Sequence, residues 1–228
     1  MSAGRGLEGR DEGMTAAELV IAAFVTAIVL VMASSFFFRG TTAIMQSRNT
    51  SLDAGTVSSA MMEVSKVIRS GAPNPVLNNS IPDPVVLAGT AESVTLYSYA
   101  DASVTNTAPM IMQFSVDPTT RQLVEKRWAA TTNAGGYFTF PNYTTAVPTW
   151  SRTIAGPIGT TPSGKSPLFV FNAASGGMTL GASGLSAPQR NSIVSVLVTI
   201  RVNGSGYAGA NGVEEQNTVG LPNLGLGT

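Results

Sequence analysis

Glu18 is the residue whose position first invites chemistry. It stands directly before Leu19–Phe38 (LVIAAFVTAIVLVMASSFFF), twenty residues without a charge. An acidic side chain costs about 2.5–3.5 kcal/mol near a bilayer centre and less toward the edge. A carboxylate there needs a cation. If the chain were cut after Gly13, the new amino group of Met14 would lie one helical turn from Glu18. The two could neutralise each other, or Glu18 could neutralise the amino terminus of a neighbouring copy. An acid in the first turn is also favoured by the helix dipole. That second account leaves Gly13, and the polar, charged segment 1–13 that it ends, without a role.

Other chemistry is scarce. The 228 residues include no histidine and no cysteine. That removes the commonest general base and metal ligand, thiol catalysis, Cys-ligated zinc and disulfides. Asp101, Asp117 and Glu125 are scattered and lack calcium-loop spacing. Glu214-Glu215 is an acidic pair without a visible partner. The glycines at 176–177 and 204–212 lack the strand, helix and lysine of a phosphate-cradling loop. Trp128 and Trp150, with Tyr137, Phe138, Phe140 and Tyr143, read first as a β-domain core and second as an aromatic binding surface. Lys126, Arg127 and Arg190 are dispersed. With 13 basic and 13 acidic residues, the chain has no broad electrostatic footprint for nucleic acid. The expectation is therefore no catalytic residue, no metal and no cofactor.

The elements that must position Glu18 follow from patterning. The apolar run is about 30 Å long as a helix, enough to cross a hydrocarbon core. Beyond it, Val57, Ala60, Met61, Val64, Val67 and Ile68 recur at steps of three and four among polar residues, an amphipathic stripe. Gly71, Pro73 and Pro75 end it. One helix is thus expected from about Met14 to about Ser70, roughly 85 Å at 1.5 Å per residue. Its second half should pack on the domain that follows.

From Val76 the pattern changes to short runs rich in Val, Tyr, Phe and Thr between turn residues. Strands are expected at Ser93–Tyr99, Met110–Val116, Gln122–Ala129, Tyr137–Phe140, Leu168–Asn172 and Ile193–Val202. The second and third form a hairpin turned at Asp117-Pro118. Ile193–Val202, apolar on both faces, should be central. One edge strand is expected in the tail before Pro222. Thr131–Gly136, Gly156–Ser166 and Ala173–Pro188 read as loops. The fold class is α+β: a long N-terminal helix packed on a C-terminal antiparallel β-sheet domain. The expected domains are a leader at 1–13, a membrane helix at 14–38, its amphipathic continuation at 39–70 and a β-rich unit at 71–228.

Gly13, Met14, Thr15 and Glu18, followed by the uncharged run, resemble the type IV pilin family. The family pattern is a glycine, a cleavage point, an apolar residue that becomes N-methylated, often Thr or Ser, and Glu as fifth residue of the mature chain. The resemblance implies cleavage between Gly13 and Met14 by a prepilin peptidase, methylation of Met14, and a Glu18 that sets subunit register. Over the β domain the order of elements is similar to minor pilins and to the J-type minor pseudopilins of type II secretion. The partners so implied are other pilin or pseudopilin subunits, the peptidase, an inner-membrane assembly platform and, before assembly, membrane lipid. Nucleic acid enters only if the filament serves DNA uptake. The implied location is a single-pass cell membrane protein with its C-terminal domain outside the cytoplasm, then a pilus or the cell surface. The competing readings are a tight-adherence-type subunit, a secretory signal peptide, a signal-anchored exterior binding domain that never assembles, and, last, an enzyme.

Overall fold

A computed structural model of the chain describes residues 15–101, 108–132, 135–159, 167–202 and 212–224. Gly13 and Met14 lie outside them. The chain divides into two compact units, residues 1–48 and 49–228.

Helix α1 spans Ala16–Arg69. In the first unit all of its side chains from Ala16 to Arg39 are exposed. In the second, the expected stripe is the buried face: Val57, Ala60, Met61, Val64, Val67 and Ile68, joined by Ser65. Spacing of three and four places these residues on one side of the helix, where the β domain covers them. The helix stops because the chain turns at Gly71. A Cβ on Gly71 would come within 2.7 Å of a Val85 side-chain methyl. The last helical carbonyls are not left bare. Ser98 Oγ donates to Val67 O at 2.9 Å, and Asn223 Nδ2 donates to the carbonyls of Arg69 and Gly71.

The β domain holds two antiparallel sheets. The first contains β1 (Val86–Thr90), β2 (Ser93–Ser98), β3 (Met110–Val116), β4 (Leu123–Ala129) and β7 (Trp150–Ala155), in that order. Between its last two strands the chain makes a small separate ribbon of β5 (Thr131–Thr132) and β6 (Phe138–Thr139). The second sheet contains β8 (Phe169–Ala173), β9 (Gly176–Gly177), β10 (Ile193–Val202) and β11 (Val213–Gly220), in the order β11-β10-β8-β9. The fold is thus α+β, a long N-terminal helix whose distal part packs on antiparallel sheets.

The strongest sequence patterns hold. The β3–β4 hairpin runs in register from Met110↔Ala129 to Val116↔Leu123. Asp117 accepts from the N–H groups of Thr119 and Thr120 at 2.9 and 2.7 Å, which makes the turn. β10 lies between β8 and β11, and both of its faces are buried from Val198 to Val202. The tail strand β11 is an edge.

Several boundaries differ. Tyr99 leaves the sheet because its N–H donates to Ser70 O at the helix end. The expected strand Tyr137–Phe140 shrinks to Phe138–Thr139, whose partner, Thr131–Thr132, lies in a stretch expected to be loop. The expected loop Ala173–Pro188 contains β9 and the start of a short helix, α2 (Ala187–Ser192). Here the N–H of Ser186 donates to Gln189 Oε1 at 2.9 Å, and Pro188 occupies a first-turn position that needs no donor. Of Gly156–Ser166, residues 160–166 lie outside the described residues, and Ile158 bridges to Val202 and is buried. β1 and β7 were not expected. Gly89 interrupts the apolar run of β1, and most of β7 is exposed.

Gly89 on β1 lies directly against Phe171 of the second sheet. A Cβ there would lie 2.6 Å from a Leu185 methyl and would drive into the ring of Phe171 on β8. Both neighbours belong to the packed interior, so neither can give way freely. Gly89→Ala is expected to destabilise the fold by about 1–3 kcal/mol. Chemical denaturation of wild type and variant side by side measures this, and equal midpoints would refute it.

Candidate functional site

Thr15 and Glu18 close on each other at the start of α1. Thr15 is the N-cap and Glu18 the third helical residue. Glu18 Oε2 accepts from the Thr15 N–H at 2.9 Å and from its hydroxyl at 3.0 Å. The Glu18 N–H donates back to Thr15 Oγ1 at 3.3 Å. This is a reciprocal capping box. The sequence reading weighed a dipole role for Glu18 but missed this box, although Thr-x-x-Glu was its signal.

Beyond the cap, the helix surface is apolar on every side. Ile28, Val29, Leu30, Val31 and Met32 are consecutive and all exposed, so they face all directions around the axis. A helix apolar all round belongs in lipid or among other apolar helices. Its few polar groups are satisfied internally. Thr26 Oγ1 donates to Ala22 O at 2.7 Å, and Thr41 and Thr42 donate to Phe37 O and Phe38 O at 2.9 Å. Hydroxyls tied to the preceding turn add little cost in an apolar medium. It is the one helix, among the described residues, long and apolar enough to cross a membrane.

Within the second unit, an ion network holds α1 to the first sheet. Pairing of β4 with β7 sets Glu125 opposite Arg152 and Arg127 opposite Trp150. Period two puts Glu125 and Arg127 on the same face, toward the helix. Glu63 on α1 reaches both arginines, at 3.2 Å to Arg127 and 3.1 Å to Arg152. The fully buried Glu125 also takes both, at 2.6 Å from Arg127 and 2.9 Å from Arg152. Asp101 pairs with Arg127 and, at 3.7 Å, with Lys66. Trp150 stacks against the two guanidinium groups, 4.4 and 5.0 Å from its ring centre. Burial is the largest influence on Glu125 and pushes its carboxyl above the ordinary range, with Arg152 opposing. Burial likewise draws the Arg127 guanidinium below its usual value.

Asp101 and Glu125, expected to be scattered, are thus brought together with Glu63, each with a basic partner. Among the described residues no group of three or more Asp, Glu, His or Cys could hold a metal ion. Two of the basic residues weighed for nucleic acid are spoken for inside the fold. Arg127 serves the network, and Arg190 donates to Leu87 O at 2.7 Å. Glu214, expected without a partner, accepts from Arg201 Nε at 2.5 Å across the β10–β11 pair.

The aromatic residues divide. Trp128 is buried with Tyr97 and Ile111, against Phe140 and Tyr143, and its Nε1 donates to Ala146 O at 3.0 Å. Trp150 is 39% exposed. Trp128 thus belongs to a core and Trp150 to a surface. No protein-family model matches this chain, and no curated protein sequence matches it.

Proposed function

We propose that this chain is a type IV pilin-like subunit, a minor pilin or pseudopilin, made as a precursor and cut after Gly13. One observation carries the reading. The helical surface from Leu19 to Phe38 is uncharged, apolar all round and wholly exposed, with a single carboxylate, Glu18, at its leading end. Such a surface is at home in a bilayer before assembly and among like helices afterwards. The same α1 ends in a stripe locked to a β domain, so pulling on the helix would carry the domain with it. The long β-covered portion of α1 favours this form over a tight-adherence-type subunit. The β domain then lies outside the cytoplasm, and the subunit's partners are other pilin-like chains, the peptidase and the assembly platform.

Glu18 acts in this account through charge. After cleavage, the amino group of Met14 is the cation that the apolar run otherwise lacks. Glu18 of one subunit sets register by meeting that amine on itself or on its neighbour.

The test is where the chain goes. In cells with a prepilin peptidase and a working assembly platform, the chain is expected in sheared filaments at mature size. In cells lacking the peptidase it is expected in the membrane fraction at precursor size. Retention in the membrane at precursor size in both strains would overturn the proposal and favour an anchored exterior domain.

A further inference from the structure

A cavity of about 350 Å³ in the β domain has a composition that the assembly reading does not use. Its walls come from the segment after α1 (Asn74, Asp83), from β2 (Tyr97), and from β6 and the chain that follows it (Phe140, Tyr143). Asn74 and Asp83 exchange backbone hydrogen bonds at 3.1 and 2.9 Å, which sets their side chains at one end of the cavity. Asn74 is 4% exposed, and its Oδ1 has no hydrogen-bond partner. Its Nδ2 donates one N–H to Phe138 O at 3.4 Å.

Asp83 Oδ2 accepts from the Tyr97 hydroxyl at 3.2 Å. Burial, and after it the Asp83 carboxylate, raises that hydroxyl above the usual phenol range, so it stays a donor. No lysine or arginine pairs with Asp83 among the described residues. The Tyr97 and Phe140 rings lie 4.9 Å apart, and Tyr143 completes the aromatic wall.

The inventory is one carboxylate without a basic partner and ring faces that carry negative charge density. Anions are repelled by such a lining. A compact cation with N–H to give and short alkyl arms to lay on the rings matches the carboxylate and the aromatic wall together.

We propose that this cavity binds a small alkylammonium group, with Asp83 as counter-ion and Tyr97, Phe140 and Tyr143 as walls. The inference does not depend on assembly and would hold for an anchored, non-assembling chain as well.

Three probes of equal length and different charge test it on the full chain in detergent: propylammonium, 1-propanol and propionate. Titration is followed by the fluorescence of the tryptophans, since Trp128 touches Tyr143. Propylammonium is expected to bind on the order of tenfold or more tighter than 1-propanol, as a charge-assisted hydrogen bond allows, and propionate not measurably. Asp83→Asn keeps an acceptor for Tyr97 and is expected to remove that preference. Phe140→Leu is expected to weaken propylammonium severalfold. Nα-acetyl-lysinamide distinguishes a lysyl source from a free amine, binding tighter than propylammonium in the first case and more weakly in the second. Equal binding of the three probes, tighter binding of propionate, or full propylammonium affinity in a folded Asp83→Asn chain would each overturn the inference.

Discussion

Glu18→Gln is expected to leave the chain in the membrane and all but absent from filaments. The substitution separates the two roles that Glu18 can have. A glutamine in the third helical position completes a capping box as a glutamate does, so the Thr15 N–H keeps its acceptor and α1 keeps its start. Glu18→Ala loses only the glutamate's half of the box, since Thr15 Oγ1 still accepts from the N–H of residue 18, and costs no more than the about 0.5–2 kcal/mol of losing an N-cap. Losing the charge costs more. A carboxylate and an amine 4 Å apart attract by about 4 kcal/mol where the effective dielectric constant is near 20. At tenfold for each 1.4 kcal/mol, the filament fraction should fall at least about a hundredfold in both variants. Quantitative blots of sheared filaments against membranes measure it. Recovery of assembly by Gln but not Ala would reduce Glu18 to a cap. Normal assembly of both variants would remove Glu18 from the mechanism.

Arg127→Leu should be the most damaging single change in the β domain. Arg127 is one of two basic partners of a carboxylate that is fully buried, and it also serves Glu63 and Asp101. Breaking a buried pair from one side leaves an under-compensated charge, at a cost of about 3–5 kcal/mol. Arg152 stays in place, which argues for the lower end. The pH dependence identifies the cause. The folded-state pKa of Glu125 is raised, chiefly by burial. The folded chain therefore binds its proton more tightly than the unfolded chain, and ionising Glu125 subtracts stability as pH rises through the range above an ordinary carboxylate. The loss in Arg127→Leu should be fullest near neutrality, where the buried charge is present. It should shrink in acid as Glu125 takes up its proton. Denaturation at matched acidic and neutral pH gives both numbers. A loss that is the same at both would point to lost packing of the arginine stem and its Trp150 stack instead.

What could be read from sequence was what is local. The stripe Val57–Ile68 declared its buried face through spacing alone, because α1 imposes its period on whatever it meets. The hairpin Met110–Ala129 was legible because alternation and the Asp117-Pro118 turn agree. β10 was legible because ten residues with apolar side chains on both faces fit few other places. β7 was not, since an edge strand with exposed side chains has no reason to alternate, and Trp-Ser-Arg-Thr carries no pattern. With β7 unseen, Arg152 had no location. The network it completes joins Glu63 to Arg127 across 64 positions and Arg152 to Glu125 across 27, separations at which charge alone names no partner. The Asn74 and Asp83 end of the aromatic cavity was hidden for the same reason, since both residues lie in irregular chain. At the amino-terminal end the residue types and order carried the reading, and the fold added the Thr15–Glu18 box, a local pair that spacing could have given.

The most direct measurement is the intact mass and amino-terminal sequence of the protein purified from its own membranes. The account predicts a chain that begins at Met14, with the mass of one added methyl group on its amino terminus. A chain that still begins at Met1 or Ser2 would contradict it, leaving Glu18 without the amine it is proposed to meet.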